Sequence, residues 1–447
     1  MAVASTIGDP ASEGPPAEVR NVSTLTAAAI AVADMIGIGV FTSLGFQVAD
    51  IPSGFAVLLL WLVGGITALC GALSYAELSV ALPRSGGEYN FLSRIYAPAV
   101  GFMAGWVSAT VGFAAPVALA GMAFGQYFAG VLPGAPPLAL GLGAVWLVGL
   151  VHLKGVSLGG SFHNVATALK LGLIVVLIVA GLALGTPQPV SFAPSARDLH
   201  YISGAPFAVG LVFVMYAYSG WNAATYIAGE VRDPQRTLPR ALVCATLLVL
   251  ALYVGLNAVF LYTTPIAAMA GKIDIALIAG KHIFGDAGGR LVGALICLGL
   301  ISSISAMTWI GPRVSMVMGE DNPIMGMFAQ RSANGAPALA ILFQLSVTTL
   351  LLMTGSFEAV LDFIQFSLIF CSFLAVAGVI VLRVRRPDLE RPYRLWGYPL
   401  TPLIFLAVTA FMMYYLLQER PLQSLASIGV MLLGVGVFAV SKRARAP

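Results

Sequence analysis

Two short stretches carry the residue types best suited to chemistry. Met35-Ile36-Gly37-Ile38-Gly39-Val40-Phe41 and Tyr216-Ala217-Tyr218-Ser219-Gly220-Trp221-Asn222 each place glycines and small polar groups in the middle of an otherwise apolar run. A helix that stops at Gly37 presents free carbonyls, and one that restarts near Phe41 presents free amides. One break therefore offers acceptors for an ammonium and donors for a carboxylate, the two ends of a zwitterion. In lipid an unpaired backbone group costs several kcal/mol, so a break is tolerated only where it lines a cavity that supplies polar partners. Taken alone, Gly37 and Gly39 are equally compatible with two helices packing closely at small residues.

Isolated charges inside apolar runs are the next candidates. Lys170 lies seven residues past His163, well inside its run, where a lysine costs about 2.5–3.5 kcal/mol on the lenient insertion scale. It requires partners unless its stem carries the ammonium to an interface. Asp34 lies about one helical turn before the first glycine pair. Its readings stay open: an amine contact, a proton carrier, an ion-pair partner, or a carboxylate facing a vestibule and paired with an arginine such as Arg313. Asp362 is a weaker candidate of the same kind, whereas Glu77 and Glu230 fall near helix ends and suit a gate network. His152, His163, His200 and His282 sit at or beyond the ends of runs without metal-ligand spacing, so they read as structural or solvent-facing. Cys70, Cys244, Cys297 and Cys371 form neither a zinc pattern nor a disulfide framework and are expected as small buried hydrophobes. No metal and no cofactor is expected.

These residues need a scaffold, and composition says which. Of 447 residues 59% are apolar and only 9% charged, against roughly 25% charged in a soluble domain. So few charges cannot cover a water-facing surface. Roughly 20 apolar residues cross a bilayer as a helix, and such runs give about twelve spans: 24–50, 54–81, 96–131, 137–153, 163–185, 204–230, 239–262, 288–318, 337–354, 358–382, 398–418 and 422–441. The expected fold is an all-α membrane protein surrounded by lipid. The net charge of +4 does not imply nucleic acid, because the basic residues form short clusters between runs. Arg197, Lys272, Lys281, Arg290 and Arg420 fall on one side, Lys170 within a span, and the other seventeen on the opposite side. That asymmetry places both termini in the cytoplasm, in a cell inner membrane. Residues 1–22 read as a disordered cytoplasmic tail and 442–447 as a second short tail. The glycine-interrupted spans are the first and the sixth, five apart, which is the placement expected of two five-helix inverted repeats, 23–185 and 204–382, followed by two further helices over 398–441.

At these residues the chain resembles the amino acid-polyamine-organocation superfamily, and within it the L-type amino acid transporters and their bacterial relatives. The resemblance covers nearly the whole chain. It rests on the Gly-x-Gly, aliphatic, Phe pattern of the first span and on the sixth-span stretch leading into Glu230-Val231-Arg232-Asp233-Pro234-Gln235-Arg236-Thr237-Leu238-Pro239. The loop Leu82-Pro83-Arg84-Ser85-Gly86-Gly87-Glu88-Tyr89 adds a third element. Gly229 departs from the pattern where relatives often carry an acid. The resemblance implies a LeuT-type 5+5 inverted repeat with broken helices 1 and 6. It assigns the amides of Ile38, Gly39 and Val40 to a substrate carboxylate. It assigns carbonyls near Ile36, with those of Tyr216, Ala217 and Ser219, to the amine. Tyr216 sits where the family has an aromatic that closes over substrate, and Trp221 and Asn222 follow the break, Asn222 organising the backbone, touching substrate or bonding another helix. Lys170 is implied to replace a sodium ion, bonding a carbonyl near Gly37 and a hydroxyl of Ser302, Ser303 or Ser305; it can also carry a proton.

The function expected on this basis is secondary transport of a small or medium neutral L-amino acid by alternating access, sodium-independent, as exchange or with a proton, and without an obligate protein partner. A polyamine or cationic amino acid is the alternative within the class. A membrane enzyme lacks clustered ligands or a nucleophile-base pair at depth, a channel lacks repeated short subunits, and a sensor that binds an amino acid without moving it lacks a signalling domain.

Overall fold

The computed structural model describes residues 22–82, 86–155, 160–226 and 231–443. Expectations for the two tails (beyond Val22 and Arg443), for Pro83-Arg84-Ser85 and for Gly229 and Glu230 lie outside the described residues.

The chain folds as helices in the order α1 Thr24–Met35, α2 Gly39–Asp50, α3 Gly54–Ala81, α4 Gly87–Ile95, α5 Pro98–Val107, α6 Ala114–Val131, α7 Pro137–Leu153 and α8 Gly160–Leu184. There follow α9 Ala196–Ile202, α10 Ala205–Ala217, α11 Ala223–Tyr226, α12 Pro234–Thr263, α13 Ile266–Met269 and α14 Ile275–Asp321. The last four are α15 Ala338–Met353, α16 Phe357–Arg385, α17 Leu400–Glu419 and α18 Pro421–Arg443. Among the described residues eight spans are long and apolar enough to cross a bilayer, α5 and α6 counting as one; α1 with α2 and α9 with α10 form two further bent pairs, and α7 and α15 are shorter apolar helices. This is an all-α membrane fold.

Local chemistry sets the helix ends. Ser23, Ser53 and Ser356 accept hydrogen bonds from the amides of Thr26, Ala56 and Ala359, capping α1, α3 and α16. Pro98 and Pro137 open α5 and α7, where a missing N-H costs nothing. Three expected spans are less regular than their apolar runs suggest. The third passes through a π-helical turn at Ser108–Gly112 between α5 and α6, and the eighth is the second limb of α14, which bends at Gly285. The first divides after Met35 and resumes at Gly39 with a 44° bend. Cys244 departs from expectation: Cys70, Cys297 and Cys371 are buried, but Cys244 is exposed, on a helix flank where an apolar environment is supplied by lipid rather than protein.

α1 packs along α12, and α2 packs along α10. A short backbone bridge between Val22 and Val231, with Arg232 N-H donating to Val22 O at 3.0 Å, ties the start of α1 to the segment before α12. Two ion-pair clusters clamp helix ends. Buried Glu77 of α3 accepts from Arg383 Nε at 3.0 Å and Nη2 at 2.6 Å and from Leu395 N at 2.7 Å, with Arg391 Nε 3.8 Å away. Glu77 is thus enclosed by two arginines and a backbone amide. At the other end of α16, Arg420 bridges Glu358 at 2.5 Å and buried Asp362 at 3.1 Å. Asp362 faces that arginine as a charge pair, while neither of its carboxylate oxygens has a hydrogen-bond partner among the described residues.

Removing one member of a buried charge cluster strands the others, at a cost of about 3–5 kcal/mol. Glu77→Ala is therefore expected to lower the thermal midpoint of the purified protein sharply, with Arg383→Gln equally damaging; a midpoint unchanged in both variants would show that the clamp carries no stability.

Candidate functional site

The two interrupted spans meet at their breaks. Ile36 N-H still bonds Val32 O at 2.9 Å, Gly37 N-H turns back to Met35 O at 2.7 Å, and helical bonding resumes with Phe41 N-H to Ile38 O at 2.9 Å. Ile38, Gly39 and Val40 consequently supply the leading amides of α2, which have no preceding turn to bond. In the sixth span α10 ends at Ala217, and residues 218–222 form successive turns: Ser219 N-H bonds Tyr216 O at 3.0 Å and Trp221 N-H bonds Tyr218 O at 3.2 Å. Gly220 has φ +100, a conformation a side chain resists.

Glycine is required at two contacts between these breaks. A Cβ on Gly39 would stand 2.5 Å from Ala217 Cα, and a Cβ on Gly220 would stand 2.6 Å from Asp34 Oδ2. Backbone therefore touches backbone at the first contact, and the Asp34 carboxylate rests against the second break. One hydroxyl spans both: Tyr253 of α12 lies 2.6 Å from Met35 O and 3.2 Å from Ala217 O, sharing its single proton between the two interrupted helices. A second tyrosine, Tyr127 of α6, donates to Phe41 O at 2.7 Å and accepts from Ala276 N-H at 3.2 Å. Neither was singled out by sequence, because a tyrosine in an apolar run reads as packing until its partner is known.

Charge enters from α8. Lys170 is buried, its stem packed against Gly299 of α14, where a Cβ would stand 3.0 Å from Cγ. Lys170 and Asp34 are the charges that act on one another. Asp34 is solvent-accessible beside the second break. Arg313, the rival partner for Asp34, instead stacks 3.3 Å over the Trp309 ring and donates to the Trp309 carbonyl.

The three serines expected around Lys170 are engaged elsewhere. Ser302 Oγ lies 3.0 Å from His163 Nδ1, Ser305 Oγ lies 3.0 Å from His152 Nε2, and Ser303 donates to Gly299 O at 3.2 Å. The imidazoles at the ends of α7 and α8 reach these hydroxyls, while the lysine stem occupies the next turn of α14. Trp221 and Asn222 contact α3, α4 and α17. The indole of Trp221 packs edge-on to Tyr75 at 4.8 Å and Phe405 at 6.0 Å. Asn222 Nδ2 donates to Glu88 Oε1 at 3.2 Å, the same oxygen that accepts from Tyr75. Ile36, Gly37, Ile38, Gly39, Val40, Tyr216, Ala217 and Ser219 remain at or beside the breaks, with Tyr216 buried on the last turn of α10.

On the side of the breaks away from Asp34, three rings stack. Phe46 of α2 lies 5.0 Å from Phe213 of α10 and 5.6 Å from Phe357 of α16. Ser43 donates to Phe213 O at 3.3 Å, and Gln47 donates to Gly210 O at 3.4 Å while accepting from Trp61. These contacts tie α2 to α10, α16 and α3 on this side of the breaks.

Comparison with known proteins follows the same outline. Residues 22–439 match the family described as amino acid permease. The chain is 27% identical to the serine/threonine exchanger SteT of Bacillus subtilis (strain 168), over 96% of this chain and 98% of that protein. It is 28% identical to the b(0,+)-type amino acid transporter 1 of Mus musculus, over 90% of this chain and 83% of that one. Against the cystine/glutamate transporter of Homo sapiens it is 28% identical over 94% and 84%.

Tyr253→Phe deletes the shared donor; Met35 O keeps Gly37 N-H, and Ala217 O is left without a partner among the described residues, which costs about 1–3 kcal/mol. The expected outcome is a lower thermal midpoint with the helical content retained; an unchanged midpoint would show that the hydroxyl does not hold the breaks together.

Proposed function

Because this chain belongs to the amino acid permease family, a family of membrane transporters and not of enzymes, we propose that it carries a small or medium neutral L-amino acid by alternating access. The observation that carries this reading is the meeting of two interrupted helices at Gly39 and Ala217, beside the leading amides of α2. The amides of Ile38, Gly39 and Val40 hold the substrate carboxylate, whose charge is favoured at a helix N-terminus. Carbonyls of Ile36, Gly37 and Tyr216, with Ser219, receive the ammonium, and Tyr216 covers the bound molecule. Ala217 O, which accepts from Tyr253, keeps its second lone pair for the ammonium.

Lys170 takes the place of a coupling cation, so transport proceeds without sodium. Its partner in this arrangement is Asp34 rather than the serines of α14. Two five-helix repeats, 23–185 and 204–382, rock about the breaks, with 398–441 outside them. The accessible side, bearing Asp34, faces the cytoplasm together with both termini, and the Phe46 stack faces outward. Exchange of one amino acid for another is the preferred cycle, and symport with a proton is the alternative; the single chain suffices. The exposed Asp34 carboxylate supports a second substrate reading, a cationic amino acid or polyamine whose extra ammonium pairs with it.

Labelled serine, threonine, leucine and lysine, with putrescine as the polyamine, should be offered to proteoliposomes holding the purified chain. The liposomes are empty or preloaded with unlabelled amino acid, across several pH values, with and without sodium. Trans-stimulated uptake of a neutral substrate, indifferent to sodium, is expected; accumulation driven by pH without preload selects the proton cycle, and preference for lysine or putrescine selects the cationic reading. Binding without counterflow would reduce the protein to a sensor. Lys170→Ala is expected to abolish or uncouple transport while the protein still inserts, and unchanged kinetics would refute its role.

A further inference from the structure

The second break is held at both of its ends. At the first, the Tyr253 hydroxyl reaches Ala217 O at 3.2 Å. At the other, Trp221 and Asn222 enter a closed circuit with Tyr75 of α3 and Glu88 of α4. Glu88 Oε1 accepts from Tyr75 Oη at 2.8 Å and from Asn222 Nδ2 at 3.2 Å. The Tyr75 ring in turn packs edge-on against the Trp221 indole, with 4.8 Å between centroids. The indole is wedged in place: a Cβ on Gly71 of α3 would stand 2.9 Å from its ring and 2.7 Å from that of Phe405.

Glu88 is suited to this by its place. It is the second residue of α4, where the leading amides of a helix favour a carboxylate, and it is half-buried. α4 packs along α5 and α16, so the carboxylate is carried by an element outside both interrupted spans. Hydrogen bonds to an ionised acceptor are about twice as strong as neutral ones. One oxygen that takes two donors therefore fixes both of their side chains.

Residues 218–222, between the two holds, follow no regular helix, and their ends set their shape. Trp221 N-H bonds Tyr218 O and Ser219 N-H bonds Tyr216 O, so a displacement at 221–222 runs back through the turns to Tyr216. Gly220, at φ +100, lies against Asp34 within the same stretch. In the other direction Thr225 Oγ1 donates to Asn222 O at 2.6 Å, which extends the hold into α11.

We propose that Glu88 is a positioning residue for the substrate site: through Asn222 it sets the geometry of the second break, and with it the directions of the Tyr216 and Ala217 carbonyls and of Ser219. This role rests on the amino acid reading, in which those groups receive the ammonium. Glu88 acts on the ligand only through the residue it holds.

Reversing the polarity of the Asn222 bond tests the role. Asn222→Asp sets two carboxylates against each other. Adding Glu88→Gln lets the new amide donate to the new carboxylate while its oxygen still accepts from Tyr75. Counterflow of labelled serine, threonine and leucine in proteoliposomes, and thermal midpoints of the purified full chain, are measured for the wild type, both single variants and the pair. Asn222→Asp is expected to raise KM about 10–100-fold, the size of one hydrogen bond to a charged group, with kcat per folded protein changed far less. Asn222→Ala, which drops the donor without adding charge, should raise KM in the same way. The double variant is expected to recover most of the loss in Asn222→Asp, and Glu88→Gln alone, which keeps an acceptor oxygen, lies between that variant and the wild type. Absence of counterflow in the wild type overturns the amino acid reading and this role with it. Wild-type counterflow with KM unmoved in Asn222→Asp and Asn222→Ala overturns the positioning role alone, as does a loss that the second substitution leaves untouched or variants that lower the thermal midpoint and leave KM unchanged.

Discussion

Backbone groups cannot be left bare in hydrocarbon, and that constraint organises this molecule. Two spans stop and restart in mid-run, and each break exposes amides or carbonyls that a continuous helix would have paired. The fold answers with fixed partners for some of them. Tyr253 serves Met35 and Ala217 with one hydroxyl, and the residues of the second break bond one another in tight turns. What remains at the start of α2 is a set of oriented dipoles available to a ligand. These dipoles are what the fold leaves unpaired once its own needs are met.

The same economy of polar groups governs the charged residues. Glu77 is surrounded by Arg383, Arg391 and a backbone amide, and Asp362 is held by Arg420. Both clusters fix helix ends. Asp34 and Lys170 differ, because one is accessible to solvent and the other is buried against Gly299 without a salt bridge among the described residues. A charge accessible to solvent can be met by a charged ligand; one locked among arginines cannot.

The breaks were legible in the amino-acid order because glycine and small polar residues in mid-run weaken a helix at the depth where lipid most requires one. Lys170 and Asp34 were legible for a similar reason, since charge at depth is costly. Side-chain direction was not. Trp221 and Asn222 follow the second break directly, yet they turn to α3, α4 and α17, because the chain rotates through successive tight turns at 218–222. Ser302 and Ser305 sit one turn apart on α14, and which basic group claims them depends on how α7 and α8 approach, information that resides in the packing of three helices. Tyr253 and Tyr127 were missed because an isolated tyrosine in an apolar run carries no signal of its partner.

The aromatic stack formed by Phe46, Phe213 and Phe357 draws one ring from each of three separate helices. Parting them forfeits two stacked pairs, each worth about 0.5–1.5 kcal/mol beyond the area they cover. Together, about 1–3 kcal/mol corresponds to a bias of roughly 5–150-fold between two conformations. Anything that parts the three rings must supply a comparable free energy from its own contacts.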